Sequence, residues 1–140
     1  MRIAIHRAVT SVPHRVLIVD DEVNHRKALA IGLRIEGYDV LEAKDGRAAL
    51  DVLADHAVDV AIVDLMMPGI NGLDLCRRLR FRHPTIPVIL TSAYHLSERQ
   101  LERAEIRVFG FLPKPFEMDE LVAFLRAKLE APVTAGAFAG

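Results

Sequence analysis

Three carboxylates, a hydroxyl and an ammonium stand at the ends of short apolar runs. Asp20 and Asp21 follow Val16-Leu17-Ile18-Val19, Asp64 follows Val60-Ala61-Ile62-Val63, Thr91 with Ser92 closes the run from Ile86, and Lys114 follows the run Val108 to Leu112. Three carboxylates held close together repel one another and raise their own pKa values unless a cation joins them. A hard divalent ion such as Mg2+ meets that need, since it takes one or two carboxylates plus waters and a phosphate oxygen. A carboxylate so placed can also attack phosphorus and form an aspartyl-phosphate. Phosphoryl transfer then needs positive charge and hydrogen-bond donors around the equatorial oxygens, which Lys114, Thr91 and the metal supply. One acid is then the nucleophile, and the others hold metal.

These side chains meet only if the runs that carry them lie side by side. The chain alternates short β-branched runs with longer segments of helical period, the pattern of βαβ units and a parallel sheet. Five strands are expected, at Val16 to Asp20, Asp39 to Ala43, Val60 to Asp64, Ile86 to Thr91 and Val108 to Leu112, alternating with five helices. The first and third are continuous apolar runs, as central strands covered on both faces require. Asp39-Val40-Leu41-Glu42 is more polar and suits an edge. In an open parallel sheet the loops at the carboxyl ends of the strands converge, and ligands bind there.

The helices carry their own punctuation. The first is expected over Glu22 to Glu36, stopping at Gly37, with Ala28, Leu29, Gly32 and Leu33 toward the sheet. Asp45, Asn71 and Ser97 are candidate N-caps, and Ser97 with Gln100 fits a capping box. The last helix places Met118, Leu121, Val122, Leu125 and Leu129 on one stripe, with Phe124 about 120° from its middle. Residues 1–14 read as an N-terminal arm with a candidate strand at Ile3 to Ile5, residues 15–130 as one domain, and residues 131–140 as a flexible tail.

Composition narrows the classes. With 51% hydrophobic and 26% charged residues the 140-residue chain is an ordinary globular domain, so disorder as its main state is excluded. A formal net charge of -1 gives no global positive field to hold nucleic acid or an anionic membrane. Cys76 is the sole cysteine, so neither an internal disulfide nor a cysteine-based zinc site is available; it reads as a small buried residue. No apolar run is long enough to cross a bilayer, and no export signal is recognisable.

At these same residues the sequence resembles a known family. Asp20-Asp21, Asp64-Leu65-Met66-Met67-Pro68-Gly69 with Gly72, Thr91-Ser92-Ala93, and Lys114-Pro115-Phe116 look like the receiver domain of two-component response regulators, in order and over about residues 15 to 130. The resemblance implies a flavodoxin-like, doubly wound five-stranded sheet in the order 2-1-3-4-5. It implies that Asp64 accepts a phosphoryl group from a phosphohistidine on a sensor kinase or phosphotransfer protein. Asp21, Asp64 and the backbone carbonyl of Met66 would bind Mg2+, with Asp20 helping directly or through water. Thr91 would hydrogen-bond the phosphoryl oxygen, Lys114 would pair with it, and the Lys114-Pro115 bond would be cis. Phe111 occupies the aromatic switch position, where many relatives carry tyrosine. Met66 and Ala93 flank the phosphoryl site without a polar group to orient water, so self-dephosphorylation is expected to be slow. The face of the fourth helix, fifth strand and fifth helix, which receivers use for dimerisation and partners, would include Phe124.

Other features have plainer accounts. His25, four residues after Asp21, reads as a structural histidine, with the pocket rim as its other placement; no second histidine stands at metal-ligand spacing. Arg77, Arg78, Arg80, Arg82 and His83 fall toward a helix C-terminus, where positive charge complements the dipole, an acidic partner being the other explanation.

The expectation is therefore a stand-alone, cytoplasmic receiver. It would signal to a downstream protein by changing shape, without binding DNA directly and without enzymatic activity beyond its own phosphorylation and dephosphorylation. Two competitors stand beside it. One is an unphosphorylated receiver serving as an interaction module. The other is a Mg2+-dependent phosphohydrolase of haloacid dehalogenase-like type, disfavoured because Met66 stands where such enzymes carry a general acid.

Overall fold

The computed structural model describes residues 12–67, 69–93 and 110–129. Five strands form one parallel sheet: β1 (Arg15–Val19), β2 (Asp39–Ala43), β3 (Val60–Asp64), β4 (Val88–Ser92) and β5 (Gly110–Pro113), in the order β2-β1-β3-β4-β5. Four helices are described: α1 (Val23–Ile35), α2 (Gly46–Asp55), α3 (Gly72–Arg82) and α4 (Met118–Leu129). The expected arm strand at Ile3 to Ile5, the helix capped by Ser97 and the C-terminal tail lie outside the described residues.

Alternation along the strands divides the core into two layers. Leu17, Val19, Ala61, Val63 and Leu90 face one side, where α2 and α3 supply Ala49, Leu53, Leu75 and Leu79. Val16, Ile18, Val60, Ile62 and Ile89 face the other, where α1 and α4 supply Leu29, Leu33, Leu121 and Leu125. Each fully buried aliphatic side chain contributes roughly 1.5–3 kcal/mol relative to exposure. This two-sided cover is why β1 and β3 read as unbroken apolar runs.

Helix punctuation behaves as the sequence suggests at three places. Asp45 and Asn71 accept from the backbone N–H of Ala48 and Asp74. Gly37, at φ 98°, takes the left-handed turn after α1, and the Tyr38 N–H reaches back to the Leu33 carbonyl at 3.0 Å.

Other boundaries shift. Glu22 is the N-cap of α1 rather than its first residue, its carboxylate accepting from the N–H groups of Asn24 and His25. Ala28 is exposed and Ala30 is buried, so the inward face of α1 is rotated from the expected one. Ile86 belongs to a turn, its N–H bonded to the His83 carbonyl, and β4 starts at Val88, after Pro87. Asp20 lies just past β1, although its N–H still bonds the Ala43 carbonyl of β2 at 3.1 Å.

Phe124 is half-buried. Gly110 has no side chain, and a Cβ built there would meet the Phe124 ring at 2.5 Å, so the ring lies over the start of β5.

Candidate functional site

The carboxyl ends of β1, β3, β4 and β5 bring the singled-out residues together. β1 and β3 run parallel in register, Val19 beside Val63, which sets Asp20 and Asp64 at neighbouring strand ends. Asp64 is itself paired with Thr91 on β4, and the Leu65 N–H bonds the Thr91 carbonyl at 2.8 Å. The Lys114 N–H bonds the Ser92 carbonyl at 2.8 Å, which ties the residue after β5 to the end of β4. The Lys114–Pro115 peptide bond is cis.

Carboxylate oxygens of Asp20, Asp21 and Asp64 lie within 4.8 Å of one another. Asp20 and Asp64 are buried and Asp21 is exposed, so the cluster opens to solvent on one side. The Lys114 ammonium sits 3.2 Å from Asp20 Oδ2 and 3.4 Å from Asp64 Oδ2. The Asp64 Oδ1 also accepts from the Met66 N–H at 3.2 Å, and the Met66 side chain stands half-exposed beside it. Thr91 is buried, while Phe111 is half-buried against the α2/α3 layer.

The two buried acids differ electrostatically. Burial pushes the Asp64 carboxyl above its ordinary value, and the Asp20 charge adds to this; Lys114 and the Met66 N–H offset only part. Asp20 suffers the same desolvation, but bonds from His25 and the Glu22 N–H, with the charges of Lys114 and His25, hold it below the ordinary carboxylate value. A pocket that leaves one of its acids short of positive charge, and offers oxygen donors from three carboxylates, fits a hard divalent cation.

Arg26 and Glu22 contribute to this pocket without having been singled out for it, and His25, which had the pocket rim only as its second placement, lies in it. His25, expected to be structural, directs Nδ1 at Asp20 Oδ2 at 2.5 Å and sets its ring edge-on to Phe116, with centroids 5.7 Å apart. Arg26 donates to the Asp20 carbonyl at 2.8 Å and to Glu42 at 3.1 Å, bracing the loop against β2. Glu22 gives its N–H to Asp20 Oδ1 at 2.9 Å. The spacing of His25, at the third position of a helix that starts next to the acid pair, was the available signal. Lys114, Pro115, Phe116, His25 and Ala93 together line a cavity of about 320 Å³ beside the acids.

The basic residues Arg80 and Arg82 occupy the last turn of α3, and Arg77 pairs with Asp74 at 3.0 Å. Cys76 is buried.

Comparison with known proteins agrees with this geometry. The sequence pattern of the family described as response regulator receiver domain matches residues 16–126. A probable transcriptional regulatory protein of Picosynechococcus is 40% identical over 129 residues, covering 87% of this chain and 51% of the relative. Response regulator MprA of Mycolicibacterium vanbaalenii is 37% identical over 118 residues, covering 84% of this chain and 51% of the relative. The chain thus spans about half the length of these curated relatives. Among solved structures, chemotaxis protein CheY4 of Vibrio cholerae superposes with a TM-score of 0.79 at 29% identity, covering 84% of this chain and all of that one. Response regulator TrrA of Thermotoga maritima, determined with Mg(2+)-BeF, gives 0.74 at 33% identity over 83% of this chain and 99% of its own. With its sheet order, its acid cluster and its lysine in place, the chain belongs to the response regulator receiver domain family.

Proposed function

We propose that Asp64 is the phosphoacceptor of this receiver and that Asp20, Asp21, Asp64 and the Met66 carbonyl hold Mg2+. The observation that carries this assignment is the gathering of three carboxylates within 4.8 Å around one ammonium at the carboxyl edge of a parallel sheet. Mg2+, when bound, neutralises negative charge that would otherwise oppose approach of a phosphoryl group.

Asp64 is the acid best placed to react. It ends a central strand, it is paired with Thr91, and its carboxylate faces Lys114. In the transfer an Asp64 oxygen bonds to phosphorus while the phosphorus–nitrogen bond of a donor phosphohistidine breaks, and the departing imidazole takes a proton. Lys114 balances charge on the phosphoryl oxygens, and the Thr91 hydroxyl donates to one of them. That bond draws the end of β4 inward and biases an equilibrium between two surfaces, with the Phe111 ring as the element that changes rotamer.

Partners follow from the same assignment: a sensor histidine kinase or phosphotransfer protein as donor, and a downstream protein, or a second copy of the chain, at the face of β5 and α4 that includes Phe124. Direct nucleic-acid binding is no part of this proposal, because a net charge of -1 gives the chain no general attraction for phosphate backbones. Among the described residues no helix is long and apolar enough to cross a membrane, and a cytoplasmic setting suits the proposed donor. The chain acts on itself only, gaining and slowly losing its own phosphoryl group.

The deciding experiment is intact mass after incubation with Mg2+ and acetyl phosphate, for the native chain and for Asp64→Asn. Gain of one phosphoryl group that requires Mg2+ and vanishes in the variant supports the assignment. No gain in folded native protein supports the unphosphorylated interaction module instead.

A further inference from the structure

Asp20 is almost completely enclosed, and both of its carboxylate oxygens are engaged. Oδ1 accepts the Glu22 N–H at 2.9 Å, while Oδ2 receives both His25 Nδ1 at 2.5 Å and Lys114 Nζ at 3.2 Å. The same ammonium reaches Asp64 Oδ2 at 3.4 Å, so Lys114 is divided between two acids.

This division matters once Asp64 carries a phosphoryl group. New negative charge at Asp64 draws Lys114 toward it and away from Asp20. Were Lys114 the only side-chain donor at Asp20 Oδ2, its departure would leave that buried oxygen with no protein donor and only the proposed Mg2+ to compensate it, a costly change that would resist the movement. His25 removes that cost, because it already donates to the same oxygen.

We propose that His25 is a positioning residue that keeps Asp20 satisfied, so that Lys114 is free to follow charge to Asp64. The inference rests on Asp64 being the phosphoacceptor. The helix and its neighbours fix the imidazole for this task. Its backbone N–H is bonded to the Glu22 carboxylate at 2.5 Å, and its ring stands at 76° to Phe116, which restrains the rotation that would take Nδ1 away from Asp20. Facing an acceptor-only carboxylate, Nδ1 is the nitrogen that carries the proton, and one such proton is all the role needs.

The test compares initial phosphorylation rates, by intact mass with Mg2+ and acetyl phosphate, in the native chain, His25→Leu, His25→Asn, Lys114→Ala and the Lys114→Ala/His25→Leu double variant. His25→Leu removes the donor and is expected to slow phosphorylation about tenfold, the scale of one hydrogen bond to a charged group. His25→Asn, whose Nδ2 stands near the place of Nδ1, is expected to stay within about twofold of native. In the Lys114→Ala background His25→Leu should add nothing, because the two residues act through one ammonium. His25→Phe, which keeps the ring beside Phe116, replaces His25→Leu if that variant does not fold. In calorimetric Mg2+ titration of the unphosphorylated proteins, any loss of affinity in His25→Leu should be much smaller than its loss of rate.

Three results overturn the proposal. They are a native-like rate in folded His25→Leu, an equal loss with or without Lys114, or a loss of Mg2+ affinity matching the loss of rate. A native chain that gains no phosphoryl mass overturns the Asp64 assignment and this inference together. A native chain that gains it beside an unslowed His25→Leu overturns this inference alone.

Discussion

Gly72, the first residue of α3, stands directly against the main chain of Asp64: a Cβ on Gly72 would come 2.3 Å from the Asp64 carbonyl oxygen and 2.5 Å from the Leu65 Cα. The Gly72 N–H also bonds the Leu65 carbonyl at 2.9 Å, so helix and strand end are locked at van der Waals contact. Backbone on both sides of a clash cannot yield as a flexible side chain can. Gly72→Ala is therefore expected to destabilise the chain by about 1–3 kcal/mol and to displace the Asp64 carboxylate. Gly32→Ala, whose new methyl would meet only the end of the Met118 side chain, should cost less. Denaturant midpoints of the two variants check the contrast.

Asp20 and Asp64 contribute to stability with opposite dependence on pH. Asp20 titrates below 3.8 in the folded chain, so its contribution is present above that value and is lost as pH falls through its folded pKa. Asp64 titrates above 3.8, so its contribution is present below that value and is lost as pH rises through its folded pKa. At neutral pH without Mg2+ the ionised Asp64 is thus a liability. Asp64→Asn should then be more stable than native, with the advantage shrinking as pH is lowered toward the ordinary carboxylate value. Urea unfolding of both proteins at neutral and acidic pH measures this, and a constant difference across the range would refute it.

Loss of the phosphoryl group requires water to be held in line with the aspartyl-phosphate. The half-exposed Met66 side chain beside Asp64 and the methyl of Ala93 offer no donor or acceptor for that water. A phosphorylated half-life of minutes or longer is expected after removal of the donor, followed by intact mass. A half-life of seconds would show that water is oriented by some other group.

Cys76 points into the α2/α3 layer, and burial pushes its thiol up to about 12. The thiolate that would react is essentially absent at neutral pH. A thiol-labelling reagent should leave the folded chain unmodified and react at the rate of unfolding, and labelling that is fast in native buffer would contradict this burial.

Much of the site was legible because it lies at strand ends. An apolar run that stops at a charged or hydroxyl residue marks both the strand and the edge it points to, which is how Asp20, Asp64, Thr91 and Lys114 could be placed side by side across the whole chain. Contacts decided by helix rotation were less legible. Helical period put Ala28 toward the sheet, whereas the packed helix buries Ala30 and exposes Ala28, because the two flank Leu29 symmetrically and only packing decides between them. The bond from His25 to Asp20 depends on that same rotation, which orients the first turn of α1. The cover of Phe124 was not legible because it comes from a missing side chain, at Gly110, in a different element.

The strand order leaves β2 and β5 outermost, and an open sheet edge invites a second chain to add a strand. Each outer strand is poorly suited to such growth. β2 is five residues long; its Asp39 is paired with Arg15 at 2.7 Å, and its Glu42 lies among Arg26, Lys27 and Arg34, charges that an incoming backbone would have to strip or displace. β5 is four residues long and ends in Pro113, which has no N–H to offer. Both edges of the described sheet are thereby protected from fibrous growth, strand upon strand, by further copies of the chain.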